Sequence, residues 1–93
     1  MSLHVRMTSR FKQDMKRLRK QGKTLDLLFA VIDKLRRGEN LDRVYRDHSL
    51  RGNLIGLREC HVQPDWLLLY YVEADVMVLT LTRTGSHSDL LRK

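Results

Sequence analysis

At Gly38 the helical spacing of apolar residues ends, and an extended period takes over from Arg58, which places the helices of this chain before its main run of strands. Before that point Phe11, Met15 and Leu18 recur at i, i+4 and i+7, a narrow apolar stripe along one face of a helix. Thr8 or Ser9 can cap this helix with a hydroxyl, and Gly22 can end it. A second helix is expected after Thr24 as its cap, with Leu25, Leu28, Phe29, Ile32 and Leu35 turned to the core and Arg36, Arg37 and Gly38 at its end. Val5 to Met7 can form a short strand ahead of both.

After Gly38, Leu41 to Ile55 shows no period and reads as a long ordered connection, a place to look for function. Arg58 to Val62 then alternates, so that Arg58, Cys60 and Val62 share one strand face while Glu59 and His61 share the other, which is expected to be exposed. Gln63-Pro64-Asp65 makes a turn, and the apolar run Trp66 to Val72 reads as a central strand covered on both faces. A tight hairpin at Glu73-Ala74-Asp75 leads to a further strand, Val76 to Thr84, closed by Gly85, and Ser86 to Lys93 can hold one helical turn. The order predicts an α+β fold: an N-terminal strand and a helical hairpin packed on a mainly antiparallel four-stranded sheet, with a short C-terminal helix.

The length of 93 residues suits a single domain spanning residues 1–93. Crossing a membrane takes roughly 20 consecutive apolar residues. The run at Trp66 to Val72 is far shorter, so no membrane partner is expected. The first ten residues lack an apolar signal core, which makes the cytoplasm the expected location. One cysteine, Cys60, rules out an internal disulfide framework and reads as a small buried hydrophobe.

Charge separates the two halves. The first 47 residues carry 13 Lys or Arg against 6 Asp or Glu, whereas the rest are balanced at 5 of each, so the whole net charge of +7 lies in the helical half. Within it Arg10, Lys12, Lys16, Arg17, Arg19, Lys20 and Lys23 are interrupted only by Asp14, a density suited to a phosphate backbone, with Lys16, Arg17 and Lys20 the expected contacts. A solvated helix face is the alternative.

Three of the four histidines, His48, His61 and His87, fall at junctions between elements. Because hairpin-connected strands are antiparallel, His61, Asp65 and Trp66 meet at one end of the sheet, and the strand reaching Arg83 returns to that end with His87. His48 joins if the long connection folds over it. Imidazole titrates near pH 6.5, so one ring can accept a proton while another, held by Asp65, donates one. Arg83 offers a fork for a phosphate and Trp66 a face for a splayed base. The combination suits cleavage of a phosphodiester. With RNA as substrate the 2′-hydroxyl can attack without a metal or cofactor, leaving a 2′,3′-cyclic phosphate and a 5′-hydroxyl. A metal reading of His48, His61, Asp65 and His87 has no short His or Cys spacing to anchor it.

The segments Asp47-His48-Ser49-Leu50-Arg51-Gly52, Arg58-Glu59-Cys60-His61-Val62-Gln63-Pro64-Asp65-Trp66 and Arg83-Thr84-Gly85-Ser86-His87-Ser88-Asp89-Leu90 resemble the YafQ-type toxins of the RelE/ParE superfamily. The resemblance implies a small α+β toxin that cuts messenger RNA on the ribosome and is silenced by a cognate antitoxin. It implies that His48, His61, Asp65 and His87 are the acid-base group and that Trp66 and Arg83 hold base and phosphate. Leu91 stands where close members carry an aromatic near the carboxyl end, in the base-contacting register. No cofactor or metal is implied. The toxin alone is expected to be a monomer and to enter a higher-order complex with its antitoxin, whose acidic or amphipathic segment would cover the basic surface. A ParE-like toxin that inhibits DNA gyrase without catalysis shares fold and charge, and is the alternative.

Overall fold

The computed structural model describes residues 2–52 and 56–90. Strand β1 (His4–Met7) leads into helices α1 (Ser9–Lys20) and α2 (Asp26–Arg36). After a short 3-10 turn at Arg43–Tyr45 come β2 (His48–Ser49), β3 (Arg58–Gln63), β4 (Trp66–Glu73), β5 (Val78–Gly85) and α3 (His87–Leu90). The sheet has the order β1-β5-β4-β3-β2, with β4 central as the sequence suggests. It has five strands rather than four, because two residues of the long connection, His48 and Ser49, pair with β3. Among the described residues the parallel pair is β1 with β5, which are separated in the chain by both helices and by the strands β2 to β4. Among the described residues no helix is long and apolar enough to cross a membrane.

Thr8 caps α1, its hydroxyl accepting from the Phe11 amide. Helix α2 departs from expectation at its start: Leu25 occupies the cap without a side-chain bond, and Thr24 plays no capping part. Its buried face also rotates, taking in Val31 and leaving Phe29 44% exposed. Helix α1 lies against β5 and α2 against β3. Phe11, Leu18, Leu28, Val31, Trp66, Leu68, Tyr70, Leu79 and Leu81 are among the residues of the core between them. Each such side chain contributes about 1.5–3 kcal/mol on leaving water.

Strand β1 stops at Met7, opposite Leu81, and among the described residues the last residues of β5 have no strand beside them on that edge. Helix α1 covers the gap with side chains. The Thr8 hydroxyl donates to the Thr82 carbonyl, Arg17 to the Thr84 carbonyl, and the Asp14 carboxylate accepts from the Thr84 amide. A bulge at Thr82 accompanies this: Tyr70 faces Leu81 but Leu69 faces Arg83, so one residue is extra. Without it Arg83 would follow Leu79 and Leu81 into the core. With it, Arg83 shares the side of Leu69 and Thr84 turns inward.

Candidate active site

Side chains alternate along β4, so Leu67 and Leu69 point away from the helices, and the residues paired with them share that second face. His48 pairs with Glu59, Glu59 with Leu69, and His61 with Leu67. His48, Glu59 and His61 therefore stand together on the sheet face opposite α1 and α2. Glu59 and His61 are 7% and 9% exposed, which corrects the expectation of an exposed polar face. Leu67 and Leu69 are themselves buried there, and Leu57 and Leu90 line a cleft with Leu69, so this side of the sheet is covered too.

Each of the three imidazoles has one nitrogen tied to an oxygen acceptor. Nδ1 of His48 donates to the Arg46 carbonyl at 2.7 Å and Nδ1 of His61 to the Pro64 carbonyl at 3.3 Å. Nδ1 of His87 donates to Asp65 Oδ1 at 2.7 Å. A carbonyl or carboxylate oxygen can only accept, so in all three rings the proton sits on Nδ1 and Nε2 is left for chemistry. Nε2 of His48 and of His61 lie 3.4 and 3.6 Å from the same Glu59 Oε1. The rings of His61 and His87 are 5.7 Å apart at an interplanar angle of 55°. A continuous line of groups results: His48, Glu59, His61, His87, Asp65.

Asp65 sits in the two-residue turn between β3 and β4 and also accepts from the His87 amide at 3.0 Å. Those two bonds from His87, backbone first and ring second, hold its carboxyl below the usual 3.8. His87 opens α3, and Gly85 before it leaves room for Arg17 and Asp89: a Cβ there would meet Arg17 Nη2 at 2.6 Å and Asp89 at 3.2 Å. The carboxylate that the sequence reading passed over is Glu59. Its signal was present in the two-residue spacing that puts it on the His61 face.

Three expected substrate contacts are placed differently. Trp66 is 1% exposed, its indole N–H donating to the Thr84 hydroxyl at 2.9 Å, so it packs into the core and presents no open face for a base. A cavity of about 610 Å³ is lined by Trp66 together with Lys23, Gln63, Asp65, Ser86 and Asp89 among others, and Lys23 Nζ lies over the Trp66 ring at 5.6 Å from its centre. Arg83 is gripped by Asp14 through Nε at 2.7 Å and Nη2 at 3.1 Å, an ion pair with a carboxylate on α1. Arg17 is likewise engaged, with Asp14 at 2.8 Å and Asp89 at 3.6 Å. Lys16 and Lys20 are exposed on α1 as expected. Leu91 lies outside the described residues.

Cys60 faces the core, and burial pushes its thiol up to about 12, which keeps it a packing group. Among the described residues no three His, Cys, Asp or Glu side chains are grouped closely enough to hold a metal ion. What the face can do is move protons: it presents imidazole nitrogens of fixed tautomer beside two carboxylates.

Comparison with known proteins bears on this geometry. The family model described as bacterial toxin of type II toxin-antitoxin system, YafQ, matches residues 3–92. The mRNA interferase toxin YafQ of Escherichia coli K12 is 32% identical over 87 residues, 92% of each chain. The crystal structure of a metal-bound toxin from Helicobacter pylori superposes with a TM-score of 0.89 at 41% identity, covering 95% of this chain and 98% of that one. The E. coli DinJ-YafQ toxin-antitoxin complex gives 0.88 at 31% identity, over 97% and 98%.

Proposed function

Since the chain belongs to the YafQ family of bacterial type II toxins and is an mRNA interferase, an endoribonuclease like its curated relatives, we propose that it cuts messenger RNA at the face carrying His48, His61 and His87. The observation that supports this reading is the shared tautomer of the three rings. With every Nδ1 already donating, each imidazole offers Nε2, the atom that takes or gives a proton. In the proposed reaction one ring removes the proton of the ribose 2′-hydroxyl, and the resulting oxygen attacks the adjacent phosphorus. The P–O bond to the 5′ oxygen breaks as a second ring protonates that oxygen. The products are a 2′,3′-cyclic phosphate and a 5′-hydroxyl, with no redox change and no cofactor. Asp65 holds His87 in register, and Glu59 faces the positive charge that appears on His48 or His61 when either takes up a proton. Arg83 keeps Nη1 uncommitted among the described residues, so it can still meet a phosphate oxygen while Asp14 holds its other edge.

The ribosome supplies the strand in this reading, and the exposed Lys12, Lys16, Arg19 and Lys20 of α1 meet ribosomal phosphate. A cognate antitoxin is the protein partner, by likeness to the E. coli complex of YafQ with DinJ. An acidic segment laid on the basic surface would block ribosome entry. Cleavage of messenger RNA on translating ribosomes tests the mechanism, with and without chelator because the H. pylori relative was solved with metal bound. Wild type should cut equally in both conditions, and His61→Ala and His87→Ala should lose at least about a hundredfold. Cutting by both variants at the wild-type rate would refute the acid-base assignment.

A further inference from the structure

We propose that Arg58 is a positioning residue that fixes the His48 ring by clamping the residues on both sides of it. The proposal rests on the reading of His48 as an acid-base group. His48 lies on the two-residue strand β2, where among the described residues His48 pairs with Glu59 and Ser49 with Arg58, one further backbone bond runs from the Leu50 amide to the Leu57 carbonyl, and the His48 side chain is half exposed. So little backbone pairing cannot by itself hold a ring to a fraction of an ångström.

The missing restraint comes from the neighbours. Side chains alternate along a strand, so Asp47 and Ser49 point to the side away from His48. There both meet the same guanidinium. Arg58 donates from Nε and Nη2 to the two Asp47 carboxylate oxygens, at 3.3 and 3.2 Å, and from Nη1 to the Ser49 hydroxyl at 2.8 Å. One planar group on β3 thus holds the positions before and after the histidine and sets which way β2 faces.

Tyr70 of β4 completes the anchor. Its hydroxyl donates to Asp47 Oδ1 at 2.5 Å and lies 3.4 Å from Arg58 Nε. On the other side of the ring, Arg46 takes up a left-handed backbone conformation with φ of 50°. A non-glycine residue pays strain for that, and here the turn aims its carbonyl at His48 Nδ1. Carbonyl and clamp together leave Nε2 pointing at Glu59. Lysine cannot replace Arg58 in this arrangement, because one ammonium cannot reach both neighbours in a plane.

The test is a double-mutant cycle on the full-length toxin cutting messenger RNA on translating ribosomes. Arg58→Lys should lower kcat about tenfold with KM unchanged, and Ser49→Ala, which removes one exposed arm, should lower it about threefold. In a His48→Ala background neither change should cost anything further, since the ring they position is gone. Ring nitrogen NMR of His48 supplies the second readout: one fixed tautomer in wild type, averaged signals in both clamp variants. Equal losses with and without His48, or a His48 spectrum unmoved in both clamp variants, would overturn the clamp. If His48→Ala alone cuts at the wild-type rate, it is the acid-base reading of His48 that fails, and the clamp loses its purpose with it.

Discussion

Asp14 grips Arg83 across the end of the sheet with two hydrogen bonds, to Nε at 2.7 Å and to Nη2 at 3.1 Å. The same carboxylate takes the Thr84 amide at 3.0 Å and Arg17 at 2.8 Å, so one buried acid closes the β5 edge that β1 leaves open. Removing its charge strands two arginines and an amide. Asp14→Asn should therefore destabilise the fold by about 2–4 kcal/mol, less than for a fully buried pair because Arg83 keeps some contact with water. Urea unfolding followed by circular dichroism measures it, and an unchanged midpoint would show the network to be ornamental.

Acid should dismantle the same network. Burial pushes the Asp14 carboxyl up, but the bonds from Arg83, the Thr84 amide and Arg17 outweigh it and hold it below the usual 3.8. A depressed carboxyl contributes stability that is complete above its unfolded value and is lost as pH falls through its folded one. Wild type should lose stability as pH drops below 3.8, and Asp14→Asn should show a shallower decline over that range. Parallel pH curves for the two proteins would contradict this.

Trp66 offers a contrast between structure and substrate. Trp66→Phe deletes the bond to Thr84 and leaves a gap in the core, a cost of about 1–3 kcal/mol. A side chain whose face touches no solvent cannot hold a base, so KM for messenger RNA cleavage should stay at the wild-type value. A raised KM with unchanged stability would restore Trp66 to the substrate.

Local pattern carried most of the fold. The helices, the central place of β4 and the turn at Asp65 follow from period, cap and breaker residues that act over a few positions. Convergence of His61, Asp65 and His87 followed from antiparallel pairing alone. What was illegible depends on distant partners. The bulge at Thr82 reverses the side that Arg83 takes, and nothing in Val-Leu-Thr-Leu-Thr announces an extra residue. Asp14 reads as a lone acid in a basic helix until β5 is seen to lack an edge partner, 70 residues away. Glu59 was legible as a neighbour of His61, but its burial, 7% exposed, belongs to a sheet face whose cover, where Leu57, Leu69 and Leu90 line a cleft, comes from distant parts of the chain.

Asp65 and His87 form the most exposed pair on the candidate face, so the consequence of separating them falls on chemistry rather than on folding. Asp65→Asn keeps the shape of the turn but removes the acceptor charge that fixes the His87 proton on Nδ1. The amide can present either its oxygen or its nitrogen, and the ring is free to invert. Cleavage on translating ribosomes should fall about ten- to a hundredfold in kcat, with a melting temperature within a few degrees of wild type. Wild-type turnover in this variant would mean that His87 needs no orienting partner.

Glu59 is the opposite case, a largely buried carboxylate whose Oε1 stands between two imidazole nitrogens. A proton arriving on Nε2 of His48 or His61 creates a positive charge that Glu59 faces at 3.4 or 3.6 Å. Glu59→Gln preserves the volume and removes the charge, so it separates electrostatics from packing. Turnover should drop by about tenfold or more while KM stays constant, because a side chain this deep in the sheet answers to the rings and not to the RNA. Combining it with His48→Ala should give less than the product of the two single losses, since half of what Glu59 faces has been removed. Full multiplicativity would mean that the carboxylate acts through His61 alone, and an unchanged kcat in the single variant would reduce it to a packing group.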